Sequence, residues 1–212
     1  MTWTADVSLD ALIEMAGENP EAKKEIERRF GAKVAVLVVG FLANRRGNDS
    51  FSRVSKLRTT RRAARHYTPV VSQRGGQLVE TESDTIVGVF EQASDALLAA
   101  LDGHASMKQF NGVSSSDIWA GLPGEPIHPR AGLGFGSSVV LPNGKFDGRE
   151  ISRAFVLGTE VARPGEILAS SAFVEELGEP PRGVGLRGSR SEREEEAGFP
   201  FHIYTDYRLE DD

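Results

Sequence analysis

Cysteine is absent from this 212-residue chain. That excludes disulfides, thiolate nucleophiles and zinc–thiolate centres, and it fits a reducing compartment. Long apolar runs are missing too. The longest, VAVLVVGFLA at residues 34–43, is too short to cross a bilayer. The N-terminal MTWTADVSLD lacks the basic segment and apolar core of a secretory signal. Cytoplasmic location and no membrane partner are therefore expected. Positive charge is in the minority, with 25 Lys and Arg against 31 Asp and Glu and a net charge of −6, which speaks against a general nucleic-acid binder. Histidine is sparse and scattered, at His66, His104, His128 and His202, with no metal-ligand spacing. No Ser-His-Asp arrangement can be argued.

What remains is an ordinary globular composition, 39% hydrophobic and 26% charged, long enough for one domain with an extension. Ser8 and the pair Asn19-Pro20 are helix-start signals, and Gly31 is a stop. Two short helices are expected before residue 31. KVAVLVVGF reads as a strand buried on both faces. SKLRTTRRAARHYTPVVSQRGG reads as a basic helix followed by a short tail. QLVET and TIVGVF read as a hairpin around an acidic turn. A helix over 91–110 carries Leu97, Leu98 and Leu101 on one stripe. RAGLGFGSSVVLPNGKF reads as a strand with a turn at Asn143-Gly144. REISRAFVLGTEVA reads as a helix, RPGEILASS as a turn and strand, AFVEEL as a short helix and FHIYTDY as a closing strand. EPPRGVGLRGSRSEREEEAG reads as a charged loop or weak hairpin, with EREEEAG solvated. The glycines of GLGFGSS do not match a phosphate loop and read as close backbone approach. This order predicts a sheet with helices packed on it.

Three of these stretches together resemble the class III nucleotidyl cyclase homology domain, the catalytic module of most adenylyl and guanylyl cyclases. AVLVVGF falls where that family has a strand ending in a metal-binding aspartate. GGQLVETESDTIVGVF resembles the glycine pair, base-reading strand and second metal aspartate. RAGLGFGSSVVLPNGKFDGREISRAFVLGTEVARPGEILAS resembles the closing strand, hairpin, catalytic helix and final PGEIL strand. The resemblance spans roughly residues 33–206. It implies an α/β (α+β) ferredoxin-like cyclase fold over 32–212, with a mostly antiparallel central sheet, helices packed on it, and an N-terminal helical extension over 1–31. It also implies a dimer with sites at the interface.

The resemblance further implies two carboxylates holding two divalent ions that activate a ribose hydroxyl. Asp84 matches the second carboxylate. The first falls on Gly40, and residues 34–43 contain no acid. Glu80 matches the base-reading position and resembles the guanylyl cyclases. The ribose-orienting asparagine falls on Ser152, and the phosphate-stabilising cation on Val156. A one-residue slide would place Arg153 and Leu157 there instead, and neither register gives the family's pair.

Two readings stay open for Asp84, a turn residue or a residual cation ligand. Asp49 is the one nearby acid able to replace the lost carboxylate. Its loop carries Arg45 and Arg46, whose guanidinium groups suit a triphosphate. Residues 50–79 hold Arg53, Lys56, Arg58, Arg61, Arg62, Arg65 and Arg74 with no acid. That asymmetry marks Arg58, Arg61, Arg62 and Arg65 as a candidate partner-binding face. The expected function is a degenerate cyclase-like domain with a regulatory, scaffolding or nucleotide-sensing role, a homodimer or bound to a partner protein. No cofactor is expected, and magnesium or manganese only if the chain is active. The alternative is a divergent, guanylyl-like active cyclase.

Overall fold

The computed structural model describes residues 8–17, 19–42, 53–82, 85–114, 126–141, 144–189 and 191–206. The helices are α1 (Leu9–Ala16), α2 (Pro20–Phe30), α3 (Arg53–Gln73), α4 (Ala93–Ser114), α5 (Arg149–Val156), α6 (Ser171–Leu177) and α7 (Ser191–Ala197). The strands are β1 (Gly31–Leu42), β2 (Gln77–Glu82), β3 (Thr85–Phe90), β4 (His128–Val140), β5 (Phe146–Asp147), β6 (Ile167–Ser170), β7 (Val184–Gly188) and β8 (Phe201–Asp206). They form one sheet in the order β2-β3-β1-β4-β6-β8-β7, with β5 paired to β4. Only β4 and β6 run parallel among these pairings.

Beside the middle strand β4 lies β1, whose side chains alternate between two covered faces. Ala35, Leu37, Val39 and Phe41 join the core under α3, α4 and α6. Val34, Val36 and Val38 face α5 through Ile151 and Ala154. Burial on both faces explains the unbroken apolar run. Next to β1, β4 carries glycines that press α5 onto the sheet. A Cβ on Gly132 would run into the Ala154 carbonyl oxygen, one on Gly134 into that of Glu150, and one on Gly136 would stand 2.8 Å from Glu150 Cγ. Close approach, not phosphate binding, accounts for GLGFGSS.

The N-terminal helices start where their caps predict. Ser8 Oγ accepts from Ala11 N at 3.2 Å, and Asn19 Oδ1 accepts from Glu21 N at 3.0 Å. Leu9, Leu12, Ala22 and Ile26 bury one another and rest on Val139 and Leu141 at the end of β4.

Three local expectations are corrected. Helix α3 continues through Pro69 to Gln73; the basic segment has no separate tail, because Tyr67 and Val71 anchor it to the core. EREEEAG, expected as a solvated loop, lies in helix α7 up to Ala197, and the stretch before it forms β7, paired antiparallel with β8. Helix α5 ends at Val156 and gives way to a π-helical turn, Leu157–Val161.

Helices α3 and α4 meet at a polar contact inside the core. Tyr67 is fully buried, and its ring lies where a Cβ on Gly103 would be. Its hydroxyl is 3.0 Å from His104 Nδ1, which also lies 2.9 Å from the Ala100 carbonyl oxygen. Burial pushes the His104 pKa down to about 4, against the opposing pull of the Ala100 and Glu166 backbone. Burial and then the Arg62 guanidinium lower His66 as well.

Candidate functional site

The strand register sets the geometry at the end of β1. Gly40 lies between Thr85 of β3 and Arg130 of β4. By the alternation along β1, position 40 faces α5 and the π-helical turn. There the space is already taken. A Cβ on Gly40 would stand 2.6 Å from the Gly158 carbonyl oxygen, 3.2 Å from Arg130 Nε and 3.6 Å from Arg130 Cγ. Contacts near 2.6 Å to backbone cannot be relieved by a rotamer change.

Gly158 is held flush on the sheet in the same way. A Cβ there would stand 2.5 Å from the Val38 carbonyl oxygen and 2.9 Å from Gly132 N. Gly40, Gly132 and Gly158 thus form a three-way backbone contact. The turn closes with Ala162 N donating to the Leu157 carbonyl at 2.8 Å. Arg130 Nη1 donates to the Ala162 carbonyl at 3.4 Å, so the guanidinium bridges β4 and the end of this turn.

An ion pair locks the next turn. Arg193 of α7 donates to both oxygens of Glu166, at 3.0 and 2.7 Å, and to the Val161 carbonyl at 2.9 Å. Glu166 also accepts from Arg163 N at 2.9 Å. Burial acts to raise the Glu166 pKa, but the Arg193 bonds and the Arg163 amide outweigh it, so the carboxyl sits below its ordinary value. Its contribution to stability is therefore complete above the unfolded pKa near ~4.3 and is lost as pH falls through the lower folded value. Arg193→Met is expected to cost about 2 kcal/mol at pH 7. Urea unfolding checks this, and the deficit should shrink below about pH 4.

On α5, Ser152 is exposed and its hydroxyl donates back to the Gly148 carbonyl at 3.4 Å. Val156 packs against the apolar cluster of Leu157, Val161, Leu168 and Ile203. Arg153 is turned inward, donating to Glu150 Oε1 at 2.7 Å and lying 4.9 Å from the Phe199 ring centroid. The buried Glu150 also accepts from Ser170 Oγ at 2.5 Å. In the alternative register, then, Arg153 is held by its own helix, and Leu157 is fully buried.

Arg61 and Arg65 are exposed on α3. Arg62 is not part of that open face: its guanidinium lies 5.0 Å from the Phe110 ring centroid, while the neighbouring His66 meets Ser106 Oγ at 3.1 Å. Arg58 is on α3, with its side chain outside the described residues. Glu80 lies on β2 opposite Val87, and its side chain is likewise outside them. Arg45, Arg46, Asp49 and Asp84 fall wholly outside the described residues.

The residues around Gly40 do not fit a divalent ion. Position 40 offers no ligand atom, a side chain there meets backbone, and the nearest charged group is a guanidinium. Among the described residues no group of three or more His, Asp or Glu is placed to hold a metal. No helix of the described residues is long and apolar enough to cross a membrane. The sequence signalled Gly40 only through the resemblance. Arg130 gave no signal, because its relevance depends on which residue of β4 pairs with residue 40.

No protein-family model and no curated protein matches this sequence. Solved structures do. The guanylyl cyclase Cya2 is 19% identical, with a TM-score of 0.60 over 82% of this chain and 91% of that one. The monomeric guanylyl cyclase domain of a RhoGC fusion protein from the aquatic fungus Blastocladiella emersonii is 18% identical, with a TM-score of 0.62 over 83% of this chain and 97% of that one. An adenylate/guanylate cyclase/hydrolase from Silicibacter pomeroyi is 22% identical, with a TM-score of 0.55 over 82% and 95%. At this level of identity and coverage, the chain has the fold of the class III nucleotidyl cyclase domains.

Proposed function

We propose that this domain is a catalytically degenerate cyclase-fold module that works by binding rather than by turnover. The closed end of β1 carries the reading. Metal-assisted cyclisation needs carboxylates to place cations against the ribose hydroxyl and the phosphates. Position 40 supplies none and has no room for one beside the Gly158 carbonyl. The helix that would contribute the orienting amide and the phosphate cation has Ser152 and Val156, and Val156 packs into an apolar cluster. Loss of one electrostatic stabiliser typically costs about 10²–10³ in rate. Loss of a metal ligand with a transition-state cation costs roughly 10⁴ or more, without simple additivity.

The regulatory role proposed is docking, to a second copy or to another protein, with nucleotide sensing through Glu80, Arg45 and Arg46 as its ligand-dependent form. Arg61 and Arg65, exposed on α3, suit an acidic partner surface. The test is a cyclisation assay of the purified chain with each α-labelled nucleoside triphosphate, in magnesium and then manganese. The expected result is no cyclic product above the no-enzyme blank. A cyclic product that disappears in Asp84→Ala would establish a divergent active cyclase and sink this reading. Calorimetry with GTP and ATP then separates silent binding from none.

A further inference from the structure

Helices α3, α4 and α6 lie side by side on the face of the sheet opposite α5. Helix α3 packs on α4 and on β1, β2 and β3, while α6 packs on α4 and on β4, β6 and β8. The layer therefore runs from α3 at the β2 edge, through α4, to α6 on the β6–β8 side. Its two ends differ in the sign of their charge. We propose that this helix layer is a self-complementary docking surface for a second copy of the chain, with α3 of each copy against α6 of the other. The inference deepens the docking role proposed above and rests on it.

Three observations carry it. The first is the charge at each end. Residues 50–79 contain no acid, and Arg61 and Arg65 stand one helical turn apart on α3, both exposed. At the other end Glu175 and Glu176 of α6, and Glu179 just beyond it, are exposed. Glu176 meets Lys33 at 3.4 Å. Among the described residues Arg61, Arg65, Glu175 and Glu179 have no ion-pair partner. The second is the middle of the layer. Positions 98, 102, 105 and 109 form one stripe along α4. Leu98 and Ala105 are half-buried and Gln109 is exposed, while Asp102 accepts from Arg74 Nε at 2.8 Å. A stripe of low charge between charged rims is the layout of a protein interface.

The third is symmetry. Two copies can meet across this layer about a two-fold axis lying along α4 or across it. An axis along α4 opposes α3 of one copy to α6 of the other, twice, with α4 against α4 between them. An axis across α4 opposes α3 to α3 and α6 to α6, which sets like charges together. The charges select the first arrangement and disfavour the second. Position 40 and α5 lie on the other side of the sheet, so this association leaves them uncovered. A net charge of −6 on each chain opposes association in general, so the attraction is local and salt must weaken it.

Sedimentation equilibrium of the full chain tests this. The mass is expected to rise with concentration from 23.0 kDa towards twice that value. The dimer should weaken about tenfold between roughly 50 mM and roughly 500 mM NaCl. One variant carries Arg61→Glu with Arg65→Glu, the other Glu175→Lys with Glu179→Lys. All four positions are exposed, so both variants should melt within about 2 °C of wild type. Each variant alone sets like charges together and should associate about tenfold more weakly or worse. Mixed in equal amounts, the two variants oppose unlike charges at both rims and should dimerise again. A wild-type chain that stays at monomer mass overturns the proposal and leaves a different protein as the docking partner. Undiminished association in either variant overturns it as well, because another surface then holds the dimer, and so does a mixture that fails to associate. Cyclic product in the assay above would defeat the non-catalytic reading while leaving this dimer untouched, so the two failures are distinguishable.

Discussion

Gly132→Ala is expected to destabilise the domain by about 3 kcal/mol or more. The added methyl group points into the Ala154 carbonyl oxygen, and it would also stand 2.5 Å from Gly158 N and 3.0 Å from Leu157 Cβ. The first two of these are backbone atoms of α5 and the π-helical turn. They cannot rotate aside, so the helix must lift from β4 or the strand must bend. For a chain of this size the loss corresponds to a fall in Tm of roughly 10 °C. The same chemical change at Gly112 should have the opposite sign. That residue is exposed near the end of α4, with nothing within 4 Å of a new Cβ. Alanine is the better helix former there, by about 0.5 kcal/mol. Denaturant unfolding of both variants followed by circular dichroism checks the contrast. A Gly132→Ala domain as stable as wild type would mean that α5 is not seated on β4 by close approach.

The second large effect is a loss of stability on mild acidification. His104 titrates near pH 6.5 in an unfolded chain, and burial lowers it to about 4 in the folded one. Between those values the unfolded state binds the extra proton, so stability rises with pH. The contribution is complete above about pH 6.5 and is lost as pH falls towards 4, by about 2 kcal/mol at pH 5 and about 3 kcal/mol at pH 4. The groups around His104 do not offset this: Tyr67 donates or accepts but carries no charge, since burial pushes its pKa well above the ordinary value. The Glu166 carboxyl, held low by Arg193, loses its contribution only at lower pH, so the two windows are separable. His104→Gln removes the titration while keeping a polar partner for Tyr67. Unfolding free energies measured from pH 7.5 to 5 should slope for wild type and slope less steeply for the variant, in which the lowered His66 still titrates. A wild-type curve without slope in that window would show that His104 is protonated at no cost.

Much of the architecture could be read from local chemistry. Ser8, Asn19-Pro20 and the apolar run at 34–41 marked elements that form where those residues stand. What escaped was set by distant partners. Helix α7 is rich in glutamate and looks solvated in one dimension. It is held by Arg193, which finds Glu166, and by Ala197 in an apolar cluster with Leu168 and Ile203. Pro69 normally argues for a helix end, yet α3 runs past it because Tyr67 and Val71 are both fully buried. The candidate site divides in the same way. Missing acidity at Gly40 and the unsuitable Ser152 and Val156 were visible as residue types. The Gly158 carbonyl over position 40 and the guanidinium of Arg130 were not, since each reaches it from an element distant along the chain.

The pairing of β1 with β4 also bears on how the chain reaches this state. Gly31 meets Val139 and Leu42 meets His128, so the two central strands are joined by loops of the order of a hundred residues. Closing such a loop costs entropy before any contact rewards it. β1 can pair earlier with β3 on one edge, but its other edge waits for β4, and β6 pairs beyond that. On a ribosome, β1 therefore emerges with both apolar faces open while more than half of the domain is still unmade. Folding dominated by such non-local pairing is slow, and in that interval β1 is the segment most in need of a chaperone.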